Sequence, residues 1–202
     1  MNIVFAYPTG LNPQKGGVER ITDIIAKILL KRGYTIFYLN WKREQDNYEY
    51  PVPVIDLPSS NLEDPNNLEV YNRFLKENRI DVIINQHGLY EGTYFLSQVK
   101  VQNVKIISVL HSDPFGYYNH LFADLMTLRD SSIKEKVKRV ARFFLYRKVK
   151  KIIHRSLVNH YTFIQEHPQY VCLLSESYKE RLEEYCDLPD NYFISIPNPN
   201  TY

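Results

Sequence analysis

Cysteine is nearly absent from this chain, and that scarcity excludes one class of fold at once. Cys172 and Cys186 are the only two, with no CxxC spacing, so a disulfide framework is ruled out and reduced thiols are expected. The N-terminus lacks the basic and apolar regions of a secretory leader, and no run approaches the roughly 18 apolar residues that span a bilayer. A cytoplasmic location is the expectation. Two nucleotide signatures are missing as well. The glycines of the first loop are Gly10, Gly16 and Gly17, not G-x-G-x-x-G, and the second strand ends Leu39-Asn40-Trp41 without an acid, which disfavours NAD. Lys15-Gly16-Gly17 has the wrong order for a Walker loop, which disfavours ATP or GTP held in that way. Internal repeats and low-complexity segments are lacking too.

What is present is the composition of a globular domain, 44% hydrophobic and 24% charged over 202 residues, enough to bury one good core. Short apolar runs at 2–6, 35–39, 52–55, 81–85, 105–110, 171–174 and 193–196 read as strands, several unbroken in the manner of strands buried on both faces. Helical periodicity separates most of them. Val18, Ile21, Ile25, Ile28 and Leu29 recur at helical spacing and Gly33 follows where a C′ glycine belongs. Asp64-Pro65 reads as the N-cap and first residue of a second helix, with Leu68, Tyr71, Phe74 and Leu75 on its buried side. Further helices fit 90–99, 132–154 and 176–185. The pattern predicts an α/β fold: a Rossmann-like, open, mostly parallel sheet of about seven strands with helices on both faces.

Ligands of such sheets bind where loops leave the carboxyl ends of the strands. Four polar clusters fall there: the loop ending in Gly16-Gly17, Asn85-Gln86-His87-Gly88, His111-Ser112-Asp113 and Ser175-Glu176-Ser177. A glycine pair opening a helix lets backbone N–H groups approach an anion or a sugar at the positive end of the helix dipole, although a tight turn alone also uses glycine. His87 and His111 can serve a ligand or cap a loop, and His111 is favoured because Asp113 is close. Together these three have the composition of a 2-His-1-carboxylate metal set, but no helical or hairpin spacing ties them, and no metal is expected. Ser175 and Ser177 are most simply helix N-caps.

Net charge is +2, but its distribution is uneven: residues 134–155 hold ten Lys or Arg against the single acid Glu135, so the rest of the chain is net acidic. Ile133, Val137, Val140, Ala141 and Phe144 form an apolar stripe along this helix and are expected to be core, with Val149, Ile152 and Ile153 drifting round it to a bend or a new neighbour. Phe143 and Tyr146 fall beside Lys138, Arg139, Arg142 and Lys150, an exposed mixture suited to an anionic membrane interface. A solvated lysine-rich face is the alternative, and nucleic acid is not expected, since no recognised module accompanies the charge.

The segment Gly16-Gly17-Val18-Glu19-Arg20, opening a helix that ends Leu30-Lys31-Arg32-Gly33-Tyr34, resembles the start of GT-B glycosyltransferases of the GT4 type. Residues 81–88, 106–113, 174–179 and 194–199 resemble later landmarks of that family in family order, so the likeness covers nearly the whole chain. It implies two Rossmann-like domains facing across a cleft, of which residues 1–197 would be the N-terminal, acceptor-binding one. Residues 198–202 would start the interdomain linker, and the donor-binding C-terminal domain would be missing. The isolated chain is then expected to be inactive or nearly so. Gly16 and Gly17 would line the cleft beside the donor phosphates and acceptor, and His111 would lie close to the transferred sugar as the catalytic candidate. Glu19, Arg20, His87, Asp113 and Ser175 would complete the donor-phosphate and acceptor set. His111-Ser112-Asp113 departs from relatives in which the acid adjoins the histidine. The resemblance implies retention of anomeric configuration by front-face transfer, a nucleotide-sugar as co-substrate without a cofactor, and a glycan or lipid-linked acceptor used in cell-surface polysaccharide or glycolipid synthesis. Peripheral attachment at the inner face of the membrane is the accompanying expectation. The rivals are a stand-alone binding domain for an anionic ligand or membrane docking, without catalysis, and a Rossmann-type nucleotide-sugar-modifying enzyme. A second α/β domain encoded past Tyr202 would separate these.

Overall fold

The computed structural model describes residues 1–42, 47–88, 91–127, 132–167, 169–184 and 189–197. Seven strands form one sheet: β1 (Asn2–Tyr7), β2 (Thr35–Asn40), β3 (Val54–Asp56), β4 (Val82–Asn85), β5 (Lys105–Leu110), β6 (Tyr170–Leu173) and β7 (Phe193–Ser195). All pairings are parallel and the spatial order is β3-β2-β1-β4-β5-β6-β7. All seven expected strands are present, their ends shifted by one or two residues. The chain reverses direction across the sheet between β1 and β4, where Ala6 lies opposite Asn85.

Alternate strand residues point to opposite faces. Ile3, Phe5, Ile36 and Tyr38 pack with Ala26 and Ile25 of α1 (Gly17–Lys31), whereas Val4, Ala6, Leu39 and Ile83 pack with α2 (Pro65–Glu77) and α3 (Glu91–Leu96). The second face continues as Leu110, Val171 and Leu173 against Leu157, Tyr161 and Ile164 of α5 (Ile133–Glu166) and Leu182 of α6 (Glu176–Glu183). Local chemistry matches the sequence at two helix ends. Asp64 accepts a hydrogen bond from the Asn66 N–H at 2.9 Å with Pro65 next to it, and Gly33 takes φ +82° after α1.

Two expectations are corrected, and one helix was not expected from the sequence. That helix is α4 (Gly116–Met126). The helix expected to end at 154 runs on to Glu166, a continuous rod of about 50 Å at 1.5 Å per residue. The stripe assigned to the core is in solvent: Ile133 is 80% exposed, Val137 64%, Val140 57% and Phe144 77%. Its residues repeat every three to four positions, but among the described residues the main partner of the first half of α5 is α4, and that stripe is left uncovered. The shift of apolar residues near 149–153 marks the change of neighbour, where α5 comes onto the sheet at Ile153 and Leu157. Cys172 is a buried free thiol in β6, while Cys186, Tyr90 and the expected linker 198–202 lie outside the described residues.

Candidate functional site

The carboxyl ends of β1, β4 and β5 enclose a cleft of about 220 Å³ beside the start of α1, lined among others by Tyr7, Val18, Gln86, His87 and His111. It lies at the reversal of strand order, where open α/β sheets take ligands. Tyr7 contributes the last side chain of β1 and meets the His87 ring edge-on at 6.3 Å.

The two glycines at the start of α1 have different explanations. A Cβ on Gly16 would lie 2.5 Å from Oε2 of Glu19, which folds back over its own helix start and is 8% exposed. The Glu19 carboxylate therefore fills the space beside Gly16 and complements the helix dipole. A Cβ on Gly17 would meet nothing within 4 Å. No neighbour demands glycine there, and the α1 backbone at Gly17 is open to solvent. Arg20 is exposed one turn further along.

The turn carrying His87 is braced from behind. Asn85 donates to Thr93 Oγ1 at 3.1 Å and Ser108 Oγ at 3.2 Å, and its own Oδ1 accepts from the His87 N–H at 3.1 Å. Ser108 in turn donates to Gln169 at 2.5 Å. Asn85, Ser108 and Gln169 are all buried, so this polar chain crosses the core with its partners satisfied. Gly88 closes the turn: its N–H donates to the Val109 carbonyl at 3.2 Å, and a Cβ there would lie 2.7 Å from that oxygen. His160 of α5, fully buried, hydrogen-bonds the Gly88 backbone.

His111 Nε2 lies 2.6 Å from Gln86 Oε1. Burial pushes the His111 pKa down to about 4, so its ring is neutral near neutral pH. Burial also lowers that of His87, with Lys42 adding to the effect and Glu91 opposing it. Two neutral imidazoles at the end of a parallel sheet can exchange hydrogen bonds with hydroxyl groups and are poor proton donors to a leaving group.

Of the residues expected from sequence, His87, His111 and the start of α1 come together. Asp113 does not join them: its Oδ2 is 2.6 Å from Arg181 Nη1 of α6, and its Oδ1 accepts from the Phe115 N–H at 2.9 Å. It ties the β5–α4 loop to α6. Ser175 is the N-cap residue of α6, as expected, though its hydroxyl bonds Ser177 at 2.8 Å and not the helix backbone. Among the described residues no group of three His, Cys, Asp or Glu side chains is placed to hold a metal ion. Sequence reasoning missed Tyr7, the partnership of Gln86, and Arg181. The signal available for Gln86 was a long amide immediately after a buried strand.

The basic residues lie apart from the cleft, on the projecting half of α5. Lys138 and Arg142 both pair with buried Glu135, at 2.9 and 3.5 Å. Lys150 sits over the rings of Tyr118 and Tyr146, at 4.9 and 5.9 Å. Arg139 and the exposed Phe143 share a surface hollow with Met126, Val140 and Phe144. Cations and uncovered apolar side chains therefore occupy one projection. No helix among the described residues is long and apolar enough to cross a membrane.

Comparison with known proteins places this arrangement among sugar-transferring folds. The family model described as Glycosyltransferase Family 4 matches residues 15–199. A glycosyltransferase from Rickettsia africae ESF-5 superposes with a TM-score of 0.53 at 15% identity, over 97% of this chain and 42% of its own. WaaG, a glycosyltransferase involved in lipopolysaccharide biosynthesis, superposes with a TM-score of 0.52 at 15% identity, over 99% of this chain and 45% of its own. At that identity they show the fold, and the chain spans less than half the length of either. No curated protein sequence matches the chain.

Proposed function

Because the chain belongs to glycosyltransferase family 4, we propose that it forms the acceptor-side wall of an enzyme that moves a sugar from a nucleotide-sugar to a glycan or lipid-linked acceptor. The observation that carries this reading is the cleft itself. The open side of Gly17 lies at the start of α1, and Val18, His87 and His111 line the cleft where the strand order reverses. In this reading the α1 backbone approaches the donor at Gly17, and its dipole offsets charge on the departing diphosphate. His111 and His87, both neutral, hold sugar hydroxyls. Neither is a nucleophile, which suits front-face transfer with retention. The nucleotide-sugar is a co-substrate, and the reading invokes no metal. The diphosphate and nucleoside are held by a second α/β domain facing this edge. A panel of nucleotide-sugars offered with membrane extract to the full natural polypeptide tests the proposal. Release of nucleoside diphosphate from one donor is expected, and none from any donor would sink it.

The α4–α5 projection gives this enzyme a place to work, the inner face of an anionic membrane. Its cations add about 1 kcal/mol each near a charged surface, and Phe143, Phe144 and Val140 enter the interface. Such docking would bring an amphiphilic acceptor to the cleft. Sedimentation with anionic vesicles, falling as salt rises, is the expected result; binding that ignores both salt and lipid charge would remove the membrane role.

A further inference from the structure

We infer that Gln86 is a positioning residue that fixes the His111 ring as its Nε2–H tautomer, leaving Nδ1 as an acceptor for a ligand hydroxyl and not a partner for a phosphate oxygen. The identity of that ligand as a carbohydrate rests on the transferase reading; the tautomer does not. Oε1 of an amide can only accept, so the nitrogen 2.6 Å away must carry the proton. The backbone that carries the Gln86 side chain is fixed. Gln86 is 3% exposed, its N–H donates to the Ala6 carbonyl at 2.9 Å, and the residues on either side are Asn85 and His87, braced as described.

The ring has no competing hydrogen bond from protein: Nδ1 is without a partner among the described residues, as is the amide nitrogen of Gln86. Both residues line the same cleft. One acceptor and one donor therefore remain for a ligand, the pattern that a hydroxyl, which both donates and accepts, can satisfy. A phosphate oxygen has no proton to offer Nδ1. Phosphate recognition then falls to the backbone at Gly17 and to groups outside this wall.

The test needs no substrate, so its failure is distinguishable from failure of the transferase reading. In the uniformly 15N-labelled 202-residue chain, long-range 1H–15N correlation of the histidine rings reports which nitrogen is protonated. His111 is expected to show a protonated Nε2 and a bare Nδ1 near neutral pH. In Gln86→Leu the two nitrogen shifts should move toward each other as the tautomers mix. Gln86→Glu, which keeps an acceptor oxygen, should restore the Nε2–H pattern at a pH above the ring's titration. An unmoved signal from His160, which is fully buried, reports that the fold persists. A wild-type ring protonated at Nδ1, or an Nε2–H pattern unchanged by Gln86→Leu, overturns the proposal. If Gln86→Leu does not fold, the wild-type spectrum still decides.

Discussion

The two halves of α5 share an apolar spacing and have opposite fates. Leu157, Tyr161 and Ile164, three to four residues apart, are each no more than 2% exposed beneath β5 and β6. Ile133, Val137, Val140 and Phe144 recur at the same interval and stand in solvent. Periodicity states that one side of a helix is apolar; it does not state what covers that side. The buried half braces the cleft through His160, and the exposed half is free to meet something else.

The sharpest way to break this comparison is truncation in each half. Leu157→Ala should cost about 2–5 kcal/mol of unfolding free energy, whereas Phe144→Ala should stay within about 0.5 kcal/mol. Equal losses in chemical denaturation would mean that the projection is packed after all. The glycines of the cleft allow a second contrast. Gly88→Ala forces a Cβ to 2.7 Å from the Val109 carbonyl, a backbone atom that cannot swing aside, and should cost about 1–3 kcal/mol. Gly17→Ala meets no atom and should leave stability unchanged.

Solution pH sharpens the same contrast. Burial holds the pKa of His160, like that of His111, at about 4 in the folded chain against an ordinary value of 6.5. The unfolded chain therefore takes up protons first as pH falls. Stability from these residues is complete above pH 6.5 and is lost between 6.5 and about 4, on the order of 3 kcal/mol for His160. Denaturation midpoints across that window should show a smaller loss in His160→Phe. An identical loss would place the titrating group elsewhere.

The smallest effect concerns the projection. Arg139→Glu is preferable to reversal at Lys138 or Arg142, because those two neutralise buried Glu135. Each exposed cation removed should weaken binding to anionic vesicles about fivefold at low salt, from about 1 kcal/mol per charge. Phe143→Ser should weaken it further without lowering stability, and unchanged binding in both variants would return the face to solvent.

Most of the fold was legible in the sequence because parallel strands buried on both faces are short apolar runs, and Asp64-Pro65 and Gly33 mark helix ends by local chemistry. The order of polar loops along one sheet edge followed from the topology alone. What sequence could not give was long-range pairing. Asp113, close to His111 in the chain, is claimed by Arg181 on a helix 68 residues away, and Gln86 reaches His111 from 25 residues away. Helix α4 was obscured by its aromatic, glycine-led sequence, which lacks a strong cap and a clear apolar stripe.

The central claim, that this sheet edge is one wall of a sugar-transfer site, is tested most directly by kcat/KM for nucleotide-sugar turnover by the full natural polypeptide carrying Gly17→Leu. The account predicts unchanged folding stability with a loss of about 100-fold, since a side chain there occupies the donor's approach to α1. Full turnover with full stability would contradict it.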